Sequence, residues 1–173
     1  MDRLIITPDN ALALNQAFEN LVRSVISLHK ITMELTPYSS TTGKFQDELE
    51  EYCRELQRNT RIPVSFSAMG LDQIPVPGFR RSTAYRIIQH LLYTAIRSPQ
   101  ADRIDLGLEF DGSTLVIRLT GNTNWLNPAS LEILGGKYWR EMQSLLTRNN
   151  GSLTWDNSLH PVSRITVYFP GIS

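Results

Sequence analysis

The chain is expected to fold as an α/β (α+β) two-layer sandwich: a mixed sheet with helices on one face, preceded by a long N-terminal helix of the dimerisation type. Three observations predict this. Apolar residues recur at helical spacing in three long stretches up to Ile96, then at spacing two from Ile104. Breakers mark the changes, at Pro37, Ser98-Pro99, Asp111-Gly112 and Asn150-Gly151. The resulting order is helix, helix, strand, helix, strand, strand, helix, strand, strand, which suits helices laid on one side of a sheet.

Asp9 or Asn10 can cap the first helix, which runs to about Leu35 before Pro37 stops it. Leu14, Phe18, Leu21, Val25, Leu28, Thr32 and Leu35 alternate spacings of four and three, a heptad seam with one polar interruption. Val22, Ile26 and Met33 form a second stripe beside it. Two stripes suit a helix covered from two sides, by its own domain and by a partner helix; a plain buried core helix gives the same pattern.

The second helix places Phe45, Leu49, Tyr52, Cys53 and Leu56 on one face, with Asp47, Glu48, Glu50, Glu51, Arg54 and Arg58 on a solvated one. Ile62 to Phe66 alternates as a short strand, and Pro63 argues for a strand start or an edge. Gly70 to Pro77 reads as a turn-rich connector. A helix with Tyr85, Ile88, Leu92, Ala95 and Ile96 follows and ends near Ser98-Pro99. Ile104 to Phe110 and Leu115 to Leu119 form a hairpin about Asp111-Gly112. Asn127-Pro128 can open a short helix. The helix after Gly136 is expected to turn Tyr138, Met142 and Leu145 or Leu146 towards the sheet, and Asn150-Gly151 to close it in the left-handed conformation. Ser152 to Trp155 and Arg164 to Phe169 are the last strands. The domain boundary falls near residue 40, giving 1–40 as the N-terminal helix and 41–173 as the α/β domain.

Seventeen basic residues balance seventeen acidic ones, so neither nucleic acid nor an anionic membrane is an expected partner. The lone cysteine, Cys53, excludes an internal disulfide and reads as a core thiol. The opening Met1-Asp2-Arg3-Leu4-Ile5-Ile6 lacks a signal-peptide run, and no segment reaches the ~20 apolar residues of a membrane span. A cytoplasmic location is expected. His29, His90 and His160 stand apart from any ligand-spaced cluster, so no metal site is expected.

The run Tyr85-Arg86-Ile87-Ile88-Gln89-His90-Leu91-Leu92-Tyr93-Thr94-Ala95-Ile96-Arg97 resembles the nucleotide-binding helix of the GHKL (Bergerat-fold) ATPase domains, Y-R-I-x-Q-E-x-L-x-N-A-x-K-H. Leu35-Thr36-Pro37 through Leu49, the glycine pair Gly135-Gly136, Asn150-Gly151-Ser152-Leu153 and Ile165 to Pro170 are similar in order to motifs of NarL-type histidine kinases. The likeness spans Leu12 to Pro170.

It implies a pocket at His90, Thr94, Arg97, Thr120, Gly121, Gly135, Gly136 and Lys137, with its chemistry removed. In the family a Glu stands at position 90 and orients phosphates or water, and an Asn stands at 94 and holds Mg2+. A D-x-G-x-G loop begins where Thr120 stands. Thr94 supplies one hydroxyl, His90 no negative charge, and Lys137 at a helix N-terminus is the best remaining phosphate contact. Neither catalytic residues, ATP nor Mg2+ are therefore expected. Trp125 and Trp139 can fill the vacated adenine space.

The expected function is that of a non-catalytic histidine-kinase-like module in bacterial signalling, a homodimer through Leu14, Phe18, Leu21, Val25, Leu28 and Leu35, or a partner of a histidine kinase or response regulator. Alternatives are a histidine phosphotransferase using His29 as phosphoacceptor, an atypical ATP-binding kinase or anti-sigma factor using Thr94 and Lys137, and a small-molecule-binding domain lined by Trp125, Trp139 and Leu92.

Overall fold

A computed structural model describes residues 16–17, 44–73, 78–122, 128–156, 158 and 162–170. The chain divides into two units, Met1–Ser39 and Ser40–Ser173. The expected seam Leu14, Phe18, Leu21, Val25, Leu28 and Leu35, the phosphoacceptor candidate His29, and Trp125 lie outside the described residues.

Four α-helices and five strands are described: α1 (Phe45–Thr60), β1 (Val64–Met69), α2 (Gly78–Ile96), β2 (Ile104–Phe110), β3 (Thr114–Gly121), α3 (Pro128–Gly135), α4 (Lys137–Arg148), β4 (Ser152–Asp156) and β5 (Ser163–Pro170). A 3-10 turn, Leu71–Gln73, lies between β1 and α2. The strands form one mixed sheet in the order β1-β2-β3-β5-β4. β1 runs parallel to β2 through the α2 crossover, and every other pair is antiparallel. The expected two-layer architecture is the one observed.

Amphipathicity decides which face each element buries. On α1, Phe45, Leu49, Tyr52, Cys53 and Leu56 are buried as the spacing predicts. Asp47 and Glu48 in its first turn complement the helix dipole, and Arg61 takes the left-handed conformation (φ 61°) to end it. Cys53 is a core thiol: burial first, and the Glu50 carboxylate second, push it up to about 12. On β2 and β3 the alternation is strict. Ile104, Leu106, Leu108, Phe110, Leu115, Ile117 and Leu119 all face the helices and are buried. Removing such a side chain from water contributes about 1.5–3 kcal/mol.

The other face of the sheet is polar. Ser65, Asp105, Thr120, Arg164 and Asp156 form one row across it. Arg118 meets Glu109 at 2.7 Å on the same face.

Pro63 stands just before β1, and β1 is an edge strand, so both readings of that proline hold. The Asn150-Gly151 close of α4 is left-handed as expected, at Asn150 (φ 56°); asparagine tolerates that region through its short polar side chain. One local expectation is corrected. Tyr138 does not turn to the sheet. It packs on α2, with its ring 4.5 Å from that of Tyr93, and the buried aromatic of the first turn is Trp139. A helix wedged between sheet and helix has two apolar borders, and periodicity alone does not assign a residue to one of them.

Candidate functional site

α2 is buried over most of its circumference because it lies on the sheet with α1 on one flank and α3 and α4 on the other. From Ile87 to Ile96 the buried residues include Ile87, Ile88, Leu91, Leu92, Tyr93 and Ala95, which leaves little of the helix for solvent. Thr94 is 0% exposed, and its hydroxyl donates to the His90 carbonyl at 2.8 Å, the back-bond a threonine makes inside a helix.

The corner between α3 and α4 sits directly on Thr94. A Cβ added at Gly135 would lie 2.7 Å from Trp139 Cβ, 2.8 Å from Thr94 Oγ1 and 3.0 Å from Thr94 Cγ2. Only a residue without a side chain leaves room here for the Thr94 and Trp139 side chains. Gly136 has φ 49° and ψ −116°, a combination that suits glycine. Its N–H donates to the Glu132 carbonyl at 3.0 Å, and its carbonyl accepts the Arg140 N–H at 3.3 Å. The glycine pair thus serves a tight helix–helix corner.

His90 lies one turn before Thr94, with its side chain 16% exposed. Its Nε2 is 3.8 Å from Glu141 Oε2, and Glu141 Oε1 is 3.4 Å from Lys137 Nζ. Burial holds the imidazole below its ordinary 6.5; Glu141 opposes that, and Arg86 and Lys137 reinforce it. His90 is consequently neutral at pH 7, a weak partner for a carboxylate at that distance. Tyr138 stacks at 5.4 Å from the His90 ring. Arg97 donates from Nη1 to the Tyr93 hydroxyl at 3.1 Å.

His90, Thr94, Gly135, Gly136 and Lys137 therefore come together around the α3–α4 corner, with Arg97 on its Tyr93 side. Thr120 does not join them: the alternation of β3 turns it to the polar face, opposite Asp105 and Arg164. Gly121 is the position that faces the helices at the end of that strand. Leu92, expected to line a retained pocket, is 0% exposed. Trp139 is 3% exposed and stacks 6.4 Å from Trp155.

Glu141 was not among the expected site residues, although its spacing of four from Lys137 is a sequence signal for their pairing. Tyr93 and Tyr138 carried no such signal. A separate cleft of about 490 Å³ opens at the end of the sheet, lined by Gln57, Pro63, Val64, Ser65, Asp102, Arg103 and Asn122. Among the described residues no group of three His, Cys, Asp or Glu side chains could hold a metal ion, and no helix is long and apolar enough to cross a membrane.

The mixed five-stranded sheet with its helices on one face is the fold of the histidine kinase catalytic, ATP-binding domain. Solved structures that share it include the following three. Acinetobacter baumannii histidine kinase AdeS is 11% identical with a TM-score of 0.53, covering 95% of this chain and 82% of its own. The histidine kinase domain of the Erythrobacter litoralis EL346 blue-light activated kinase is 10% identical with a TM-score of 0.56, over 98% and 89%. The catalytic domain of histidine kinase ThkA is 15% identical with a TM-score of 0.52, over 73% and 91%. At these identities the likeness is one of fold. No family model and no curated protein matches the sequence.

Proposed function

We propose that this chain is a histidine-kinase-related module of bacterial signal transduction that has lost nucleotide chemistry and acts by binding proteins. Its partners would be a second copy through the N-terminal seam, a histidine kinase or a response regulator. The observation that carries the proposal is the closure of the α3–α4 corner onto Thr94.

A Mg2+-bound triphosphate needs hard oxygen ligands and free backbone amides. Thr94 presents no surface to solvent, and its hydroxyl proton is committed to His90. The Gly136 amide is bonded within the corner, and Lys137 lies beside Glu141. Thr120 faces away from the helices. These residues do not fit a Mg2+-nucleotide, and no step is assigned to one.

A titration of ATP, ADP and a non-hydrolysable analogue, with and without Mg2+, tests this by calorimetry and by the fluorescence of Trp139, which abuts Gly135. No saturable signal is expected at millimolar nucleotide. Micromolar binding would overturn the proposal and return the chain to the catalytic class.

A further inference from the structure

β1 is an edge strand, and among the described residues most of its outer backbone groups are open. In a parallel ladder a residue directs both its N–H and its C=O to the same side. Ile104 donates to the Pro63 carbonyl at 3.0 Å, so Pro63, Ser65, Ser67 and Met69 face β2, and Val64, Phe66 and Ala68 face outward. The Val64 N–H confirms the assignment, because Gln57 Oε1 on α1 caps it at 3.0 Å. Among the described residues the outward groups of Phe66 and Ala68 have no partner.

The strand also lacks the usual protections of an edge. Val64-Ser65-Phe66-Ser67-Ala68-Met69 contains no charge and no proline, and its β2 register is continuous without a bulge. Met69 is 68% exposed. The charges stand at its two ends and differ in sign: Arg61 before it and Asp72 after it, both exposed and both without an ion-pair partner among the described residues.

We propose that β1 pairs antiparallel with β1 of a second copy of this chain, joining two sheets across a two-fold axis. Centred on Phe66, the pairing sets Phe66 opposite Phe66, Val64 opposite Ala68 and Ser65 opposite Ser67. No like charges meet, and each end of the ribbon brings one copy's Arg61 beside the other's Asp72. Self-complementarity of this kind is what an isologous interface requires. An edge carrying one sign of charge along its length would repel its own copy. This interface is separate from the N-terminal seam of the proposed function and does not rest on it.

The test is the oligomeric state of the full chain by sedimentation equilibrium, in variants of both regions. Ala68→Pro removes an outward N–H that makes no bond within the sheet, a position where an edge strand tolerates proline. It is expected to raise the dissociation constant about tenfold or more, through loss of hydrogen bonds across the axis. Arg61→Asp and Asp72→Arg are surface changes that keep the fold measurable should the proline variant unfold. Each alone is expected to weaken association, and the double variant to restore it, a rescue that only antiparallel juxtaposition of the two positions explains. Leu21→Lys, which breaks the N-terminal seam, is expected to leave this association step in place. A chain that remains monomeric to millimolar concentration overturns the proposal and leaves the edge to an extended segment of this or another protein. So does self-association indifferent to Ala68→Pro and to both charge reversals.

Discussion

Gly135 sets the geometry of the candidate site more than any charged residue near it. Its Cα occupies the place where a side chain would overlap both Thr94 and Trp139. Gly135→Ala is expected to destabilise the fold by about 1–3 kcal/mol, the cost of overpacking a closed contact. Urea unfolding measures it. Combining it with Thr94→Ala should recover part of the loss, because the second change removes two of the three overlapped atoms.

His90 supplies a pH dependence at the same scale. Its folded pKa lies below the unfolded 6.5, so the unfolded chain binds more protons on the acid side of that value. The contribution is fully present above pH 6.5 and is lost as pH falls from there through the folded pKa. Thermal melts between pH 5 and 8 should show this slope, and His90→Gln should flatten it, within the range where unperturbed imidazoles titrate. At this scale the sequence disclosed Cys53 as a core thiol and passed over Glu141. It set Thr120 in the pocket, because a motif matched by order alone carries no register, whereas the pleat of β3 turns Thr120 to the polar face.

Among the elements, α1 and α2 share the most telling contact. The Tyr52 and Tyr85 rings pack at a tilt of 56° with centroids 5.9 Å apart, with Cys53 beside Tyr52 in the chain. Burial, then the Glu48 and Glu55 carboxylates and Cys53, push the Tyr85 hydroxyl from 10.0 up to about 12, against a lowering hydrogen bond from Gln89. Tyr52 is raised well above 10.0 by burial first. The folded chain thus keeps protons that the unfolded chain releases, starting at the unfolded cysteine value of 9.0. Stability should be full below pH 9 and fall as pH rises towards 12. Circular dichroism melts across that window check it, and Tyr85→Phe should reduce the slope.

The extents of α1, β2 and β3 were legible because each buries one continuous face and leaves the other polar, so its periodicity has one cause. α4 was legible as a helix and not in its facing. It touches both the sheet and α2, and Tyr138 and Trp139 sit on adjacent borders. The left-handed close of α4 was legible in the Asn150-Gly151 pair, because both residues permit that conformation, and the structure assigns it to Asn150.

For the whole molecule, the order of elements and the change from a period of 3.6 to a period of two were enough to predict a two-layer sandwich. The polar outer face of the sheet follows from the same alternation that builds its core. The fold has the architecture of a histidine kinase ATP-binding domain, with a β1 edge open at Phe66 and Ala68 among the described residues and an α3–α4 corner closed on Thr94.

The sequence by itself determined the elements, the buried faces of α1, β2 and β3, and the edge character announced by Pro63, since all of these are consequences of local periodicity and backbone chemistry. Only the tertiary structure decided that Gly135 closes on Thr94, that Glu141 stands between His90 and Lys137, that Thr120 faces outward and that Arg61 and Asp72 flank an unprotected strand. Those are contacts between segments distant in the chain or orientations fixed by a register, and neither distance nor register is encoded in the spacing of residues along one element.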